Sequence, residues 1–256
     1  MSNLSSVRSS QPHMRQLAAL LLLATATAAH ADALADVKRT LASLHGTAAI
    51  AAAYESRKTN TARGRFFNQN LNMRSAAEVR AGQDGVTLTL SRATLERLRA
   101  QRAAGQRDDS DQSEAAGDVA AGRVAELLDF APTLQAMLAH AVLRGERDAA
   151  VGTAPARLLI LKVPPERARV KEVNIESSGD DLSLWIGRDG VPLAAERKVQ
   201  FSVGFLFLKA SGGATETWTF AHAGDRLVAV RHEHTMNGGG LGEHSEGTEI
   251  ESIVVR

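Results

Sequence analysis

The sequence predicts an α+β domain in which a strongly curved antiparallel β-sheet, an open or half barrel, carries helices packed on its concave apolar face. Three observations carry that expectation. Residues 170–256 read as strand after strand joined by turn signals at Gly179-Asp180, Asp189-Gly190, Gly212-Gly213 and Gly224-Asp225. Residues 86–90 alternate apolar residues with threonine, the pattern of a sheet buried on one face. Residues 122–145 carry a broad apolar stripe that needs a sheet to cover it.

The chain opens with Arg15 ahead of the apolar run 17–24, and Ala29-His30-Ala31 places small residues where signal peptidase cuts. Residues 1–31 are therefore expected to be a secretory signal peptide, with Met14 a second candidate start. The apolar run falls short of the ~20 residues that a membrane span needs. Residues 32–256 form the expected single domain. Its first element is an amphipathic helix over 32–44, with Leu34, Val37, Leu41 and Leu44 on one face and Gly46 after its end. An alanine-rich strand over 47–58 follows, with Ile50, Ala52 and Tyr54 on one side. Residues 60–70, with Phe66 and Phe67, read as a hairpin loop, 71–81 as the returning strand, and Asp84-Gly85 as a turn into 86–90.

Ser91 suits the cap of a helix in which Leu95 and Leu98 face inward. Residues 105–118 hold five carboxylates, one arginine and no apolar residue larger than alanine, so a disordered acidic loop is expected there. Its spacing lacks the calcium-loop pattern. The stripe over 122–145 runs through Val124, Leu127, Leu128, Ala131, Leu134, Leu138, Ala141 and Val142, and Pro132 should kink or split that helix. Residues 148–156 read as a loop. Residues 158–161 are a continuous apolar run, a strand covered on both faces or one at an edge.

Composition excludes several function classes. The 256 residues contain no cysteine, which removes disulfides, thiolate metal sites, a cysteine nucleophile and lipid attachment through an N-terminal cysteine. The formal charge is +1, from 30 basic and 29 acidic residues; removing residues 1–31 takes away Arg8 and Arg15, leaving 28 − 29 = −1. No basic block matches a phosphate backbone, so nucleic acid is not an expected partner. There is no Gly-x-Ser-x-Gly elbow, no His-Glu-x-x-His and no phosphate loop, because the glycines at 238–242 lie between two strands and open no helix. The chain is not expected to be an enzyme.

Two features of the apolar side of the last strands are candidate sites. Phe201, Phe205, Phe207, Trp218 and Phe220 are five of the ten aromatic residues and fall within twenty positions. Together with Val203 they would line a hydrophobic concavity if the sheet curves, and would be ordinary core if the 124–142 helix covers them. The second feature is a His-x-His pair. A three-residue loop at 223–225 would set Val228 against Phe220, Val230 against Trp218 and Glu216 against His232. A seven-residue loop at 237–243 would set His234 against Glu246. In that register His232, His234, Glu246 and Glu216 gather, and imidazoles with a carboxylate suit zinc or copper, although a structural or pH-sensitive polar rim needs the same residues. No other cofactor is expected.

The element order, together with the phrases LWIGRDGVPLAAE over 184–196 and DRLVAVRHEH over 225–234, resembles the superfamily of periplasmic lipoprotein carriers and related lipid-binding proteins. The resemblance implies a LolA-like open barrel with helices over its apolar concave face, in a soluble carrier. The expected function is a periplasmic or secreted binding protein, monomeric, for a lipid or the acyl chain of an acylated protein. The alternatives are a metal-binding protein using the His-x-His strand and an envelope interaction protein whose helices fill the apolar face.

Overall fold

A computed structural model describes residues 33–64, 68–103, 121–164, 167–170, 173–205, 208–240 and 243–256. The expected signal peptide, Phe66-Phe67, the acidic loop 105–118 and Phe207 lie outside these residues, as does the side chain of Leu98. In chain order the elements are α1 (33–42), β1 (Ile50–Arg63), β2 (Asn68–Gly82), β3 (Gly85–Leu90), α2 (Arg92–Ala103), α3 (121–128), α4 (Ala131–Ala139), β4 (Val142–Val151), β5 (Ala154–Val163), β6 (Arg167–Val170), β7 (Val173–Ile186), β8 (Pro192–Phe205), β9 (Leu208–Ala223), β10 (Arg226–Gly240) and β11 (Glu243–Val255).

All eleven strands belong to one antiparallel sheet ordered β3-β2-β1-β11-β10-β9-β8-β7-β5-β4, with β6 paired to β7 beside this path. Among the described residues no ladder joins β3 to β4, so the curved sheet stays open and is not a closed barrel. The fold class is the expected α+β arrangement.

The helices form where apolar spacing follows a helical turn and needs a surface to cover. In α1, Ala33, Val37 and Leu41 recur every four residues and are buried. The 122–145 stripe splits as Pro132 requires. It yields α3, burying Val124, Leu127 and Leu128, and α4, burying Ala131, Leu134 and Leu138. Pro132 sits in the first turn of α4, where a missing donor costs nothing. Phe130, between the two helices, donates its backbone N–H to the Leu227 carbonyl at 2.8 Å, and its ring is fully buried against the sheet. These residues pack with Ala52, Leu159, Leu161, Leu182, Leu184, Ile186, Trp218, Phe220 and Ile253 into one core.

The N-terminal helix is tied to the β9–β10 turn. The Asp225 carboxylate accepts the Thr47 N–H at 2.9 Å, the Thr47 hydroxyl at 2.5 Å and the Ala48 N–H at 2.7 Å, while Arg226 Nε donates to the Ala48 carbonyl at 2.8 Å. Those hydrogen bonds hold the Asp225 carboxyl well below the usual range.

Several expectations are corrected. Residues 148–156 are a hairpin, β4 turning at Gly152 (φ +58°) into β5, and not a loop. The helix stops at Ala139, so Val142 opens β4 and is 50% exposed. Leu95 faces outward at 40% exposure, although Ser91 does cap its helix through the Thr94 N–H at 3.1 Å. Gly179-Asp180 and Gly212-Gly213 are interior to β7 and β9. At Gly179 the ladder slips by a bulge, and at Gly212 a Cβ would lie 2.8 Å from the Phe201 ring and 2.4 Å from the Asn237 carbonyl, so glycine there makes room for a neighbour.

Candidate functional site

Strand alternation and the pairing register together define what the helix-facing side of the sheet carries. At the covered end lie Val79, Ala52, Ile253, Phe220, Trp218, Ala195 and Leu184, all buried under the helices. Two to four residues further along each strand the chemistry changes. Ser75 on β2, Ser56 and Lys58 on β1, Glu251 and Glu249 on β11, His232 and His234 on β10, Glu216 on β9, Arg197 on β8 and Asp180 on β7 form a polar belt across the sheet.

Hydrogen bonds and ion pairs run through the belt. Ser56 and Ser75 hydroxyls lie 2.7 Å apart, and Lys58 Nζ is 3.4 Å from Glu249 Oε2. Glu251, 2% exposed, accepts from the Tyr54 hydroxyl at 2.8 Å and from Arg123 Nε at 3.0 Å, and its Oε2 is 2.9 Å from His232 Nδ1. Glu216 Oε1 stands 3.8 Å from His232 Nε2 and 3.6 Å from His234 Nδ1, and its Oε2 is 3.9 Å from Arg197 Nη1. Arg197 in turn grips the buried Asp180 carboxylate through Nε and Nη2.

Arg123 enters this belt from α3. Its Nη1 donates to Glu126 at 2.7 Å, and Glu126 also accepts from the Thr133 hydroxyl at 3.1 Å, so one carboxylate holds α3 and α4 to the same point. Burial raises the pKa of Glu251, but His232, Arg123 and Tyr54 outweigh it and bring it down to about 2. Glu216 follows the same logic, with burial overcome by His232 and His234, and also falls to about 2. Burial lowers the pKa of His232, yet Glu216 and Glu251 prevail and raise it. The imidazole stacks on Trp218 with ring centroids 5.3 Å apart.

Beyond the belt no helix covers the sheet among the described residues, and the helix-facing positions turn apolar and small again: Val199 and Phe201 on β8, Ala214 and Gly212 on β9, Met236 and Gly238 on β10, Gly247 on β11. Met236 is 44% exposed and Phe201 half-buried. A groove of about 770 Å³ over β8–β10 opens instead on the opposite, polar side of the sheet, where Lys198, Gln200, Ser202, Thr215, Thr235 and Asn237 line it, and Val199, Phe201, Gly212, Ala214 and Gly238 only border it.

The expected aromatic cluster is thus divided. Trp218 and Phe220 are core, each ring 5.4 Å from Phe130, which fills the space between them and the helices. Phe201 lies on the far side of the belt, on the apolar stretch with Val199 and Met236. Val203 and Phe205 continue the β8 ladder, paired with Ala210 and Leu208, but their side chains lie outside the described residues, as does Phe207.

The expected His register is also corrected. A two-residue turn and a bulge at Val230 pair His232 with Trp218 and His234 with Glu216, while β11 sets Glu251 against His232 and Glu249 against His234. Glu246 instead faces Asn237, and His244 Nε2 lies 2.8 Å from it, away from the His-x-His pair. The rings of His232 and His234 are 6.4 Å apart, and among the described residues no group of three or more His, Asp or Glu side chains is placed to hold a metal ion.

Sequence reasoning missed Arg123, Tyr54 and Glu251. Glu251 was findable, since it shares its side of β11 with Ile253 and Val255; Arg123 had no such signal, because it lies at the flank of the α3 stripe.

No family model and no curated protein matches the chain. Among solved structures, the crystal structure of MucB in complex with MucA(peri) aligns with 89% of this chain and 93% of that one, at 9% identity and a TM-score of 0.17. At that score the likeness carries no argument about fold or function.

Proposed function

We propose that the chain is a non-catalytic periplasmic or secreted binding protein for an apolar chain such as a lipid acyl group, held on the apolar stretch of the sheet beyond the polar belt. The observation that carries this reading is the division of one sheet face into two apolar zones. The first is closed by Phe130 and the helices, while in the second, with Val199, Phe201 and Met236, Phe201 is half-buried and Met236 is 44% exposed. Ala214 and Gly238 carry a methyl group and no side chain on this side, while Gly212 and Gly247 lie under Phe201 and Met236, which are the apolar groups a chain would meet. A carrier of this kind agrees with the sequence resemblance to lipoprotein carriers and with the expected signal peptide.

The test is binding of a fluorescent fatty acid to the purified protein, with solvent extraction and mass spectrometry of the protein as isolated. Saturable binding that weakens at least tenfold in Phe201→Asp, with an unchanged melting temperature, supports the reading. A protein that carries no extractable lipid and binds no probe removes it.

A further inference from the structure

We propose that two copies of the chain pair through the outer edge of β2, extending the sheet across a two-fold axis at Asn72. The proposal is independent of the ligand reading, since it rests on a different strand.

In β2, β3 covers the outer edge from Ala77 to Gly82, and among the described residues no strand lies beside residues 68–76. All nine of these residues are exposed. Native edges are ordinarily blunted by proline, lysine, bulges or a covering element. Among the described residues this stretch has no proline, lysine, bulge or covering element, Arg74 is its one charged residue, and its ladder with β1 is regular throughout.

The backbone parity is settled by the Ala51 carbonyl, which accepts the Arg256 N–H at 2.9 Å and so faces β11. Ala52 therefore faces β2, its partner Val79 faces β1, and the even-numbered residues of β2 turn their N–H and C=O groups to the outer edge. Asn68, Asn70, Asn72, Arg74 and Ala76 present these groups. An antiparallel copy centred on Asn72 pairs 72 with 72, 70 with 74 and 68 with 76, which satisfies all of them at once.

The side chains fit the same register. On the helix-facing side Leu71, 37% exposed, meets Met73 of the second copy, and Met73, 53% exposed, meets Leu71. On the other side Asn72 meets Asn72 and Asn70 meets Arg74, so no like charges oppose each other. An isologous contact of this type closes as a dimer and leaves no further copy of the same edge.

The test is sedimentation velocity of the purified chain from about 1 to about 100 μM, the range a small interface spans. The expected mass rises from one copy to two. Asn72→Pro should stay at one copy with its circular dichroism and melting temperature near wild type, since the lost N–H is not used by β1. The double variants Leu71→Lys with Met73→Lys and Leu71→Glu with Met73→Glu should each stay single, and their mixture should regain the two-copy mass. A wild-type chain that stays single over the whole range, including one whose edge binds a different protein instead, overturns the proposal. So does failure of the mixture to pair, and this charge test decides the matter if the proline variant does not fold.

Discussion

His232 Nδ1 lies 2.9 Å from Glu251 Oε2 and 2.8 Å from Arg123 Nη2, so one ring nitrogen faces an acceptor and a donor. Protonated, it donates to Glu251; neutral with its lone pair on Nδ1, it accepts from Arg123. The groups facing His232 are Glu251 from β11, Glu216 and Trp218 from β9, Arg123 from α3 and His234 on its own strand. The two carboxylates outweigh burial and Arg123, and the folded pKa of His232 is raised above its ordinary value.

Stability should therefore depend on pH from both sides. A raised histidine pKa stabilises the fold fully below the unfolded value of ~6.5, and that contribution is lost as pH rises through the folded value. Glu216 and Glu251, each brought down to about 2, stabilise above the unfolded value of ~4.3 and lose that contribution as pH falls toward 2. Melting temperatures measured from pH 3 to 9 should peak between ~5 and ~6.5, and His232→Gln should flatten the alkaline side. A wild-type profile that is flat from pH 6 to 9 would contradict the protonated assignment.

Removing Glu251 should be more costly than removing an exposed carboxylate. Its side chain is 3% exposed and is shared by Tyr54, Arg123 and His232. Taking it away leaves the buried His232 and the partly buried Arg123 without their common acceptor, which costs ~3–5 kcal/mol for buried pairs. Glu251→Ala should lower the denaturation free energy by about that amount, whereas Glu246→Ala, at an exposed pair with His244, should leave it nearly unchanged.

Much of this fold was readable because periodicity reports burial. The four-residue spacing of Val37 and Leu41, the split at Pro132 and the alternation of Ile50, Ala52 and Tyr54 all correspond to buried faces. What misled was glycine, which marks either a turn or a strand position where something approaches closely. Gly224 is the first kind, with φ +64°; Gly212 is the second, lying under the Phe201 ring. The belt was half legible for a related reason. His232, His234 and Glu216 were singled out, but one bulge at Val230 moved every partner, and a one-residue slip changes which side chains meet.

Gly46 tests the tie between α1 and the β9–β10 turn. It has φ +65°, and a Cβ there would lie 2.0 Å from Asp129 Oδ2, on a carboxyl whose pKa burial already raises. The left-handed backbone alone costs ~1–2 kcal/mol for another residue. Gly46→Ala should lower the melting temperature by several degrees, while Gly82→Ala, where a Cβ meets nothing within 4 Å, should leave it nearly unchanged.

The division of the sheet face predicts that stability and ligand binding separate by residue. Phe130 is fully buried between Trp218 and Phe220, and phenylalanine-to-alanine changes in cores cost ~3–5 kcal/mol. In a domain of this size that is a fall of roughly 10 °C in melting temperature. Phe130→Ala should show this loss and, measured below its transition, keep its affinity for a fluorescent fatty acid within about twofold, because the belt of Glu251, His232 and Glu216 stands between Phe130 and the apolar stretch of Val199, Phe201 and Met236. Met236→Lys should do the reverse: at 44% exposure its side chain contributes little to the core, but a cation placed beside Val199 and Phe201 would be desolvated by an acyl chain. Its expected signature is an unchanged melting temperature with at least tenfold weaker probe binding. If Phe130→Ala abolishes binding and Met236→Lys leaves it intact, the ligand sits on the helix side of the belt and the apolar stretch of Val199, Phe201 and Met236 is not its seat.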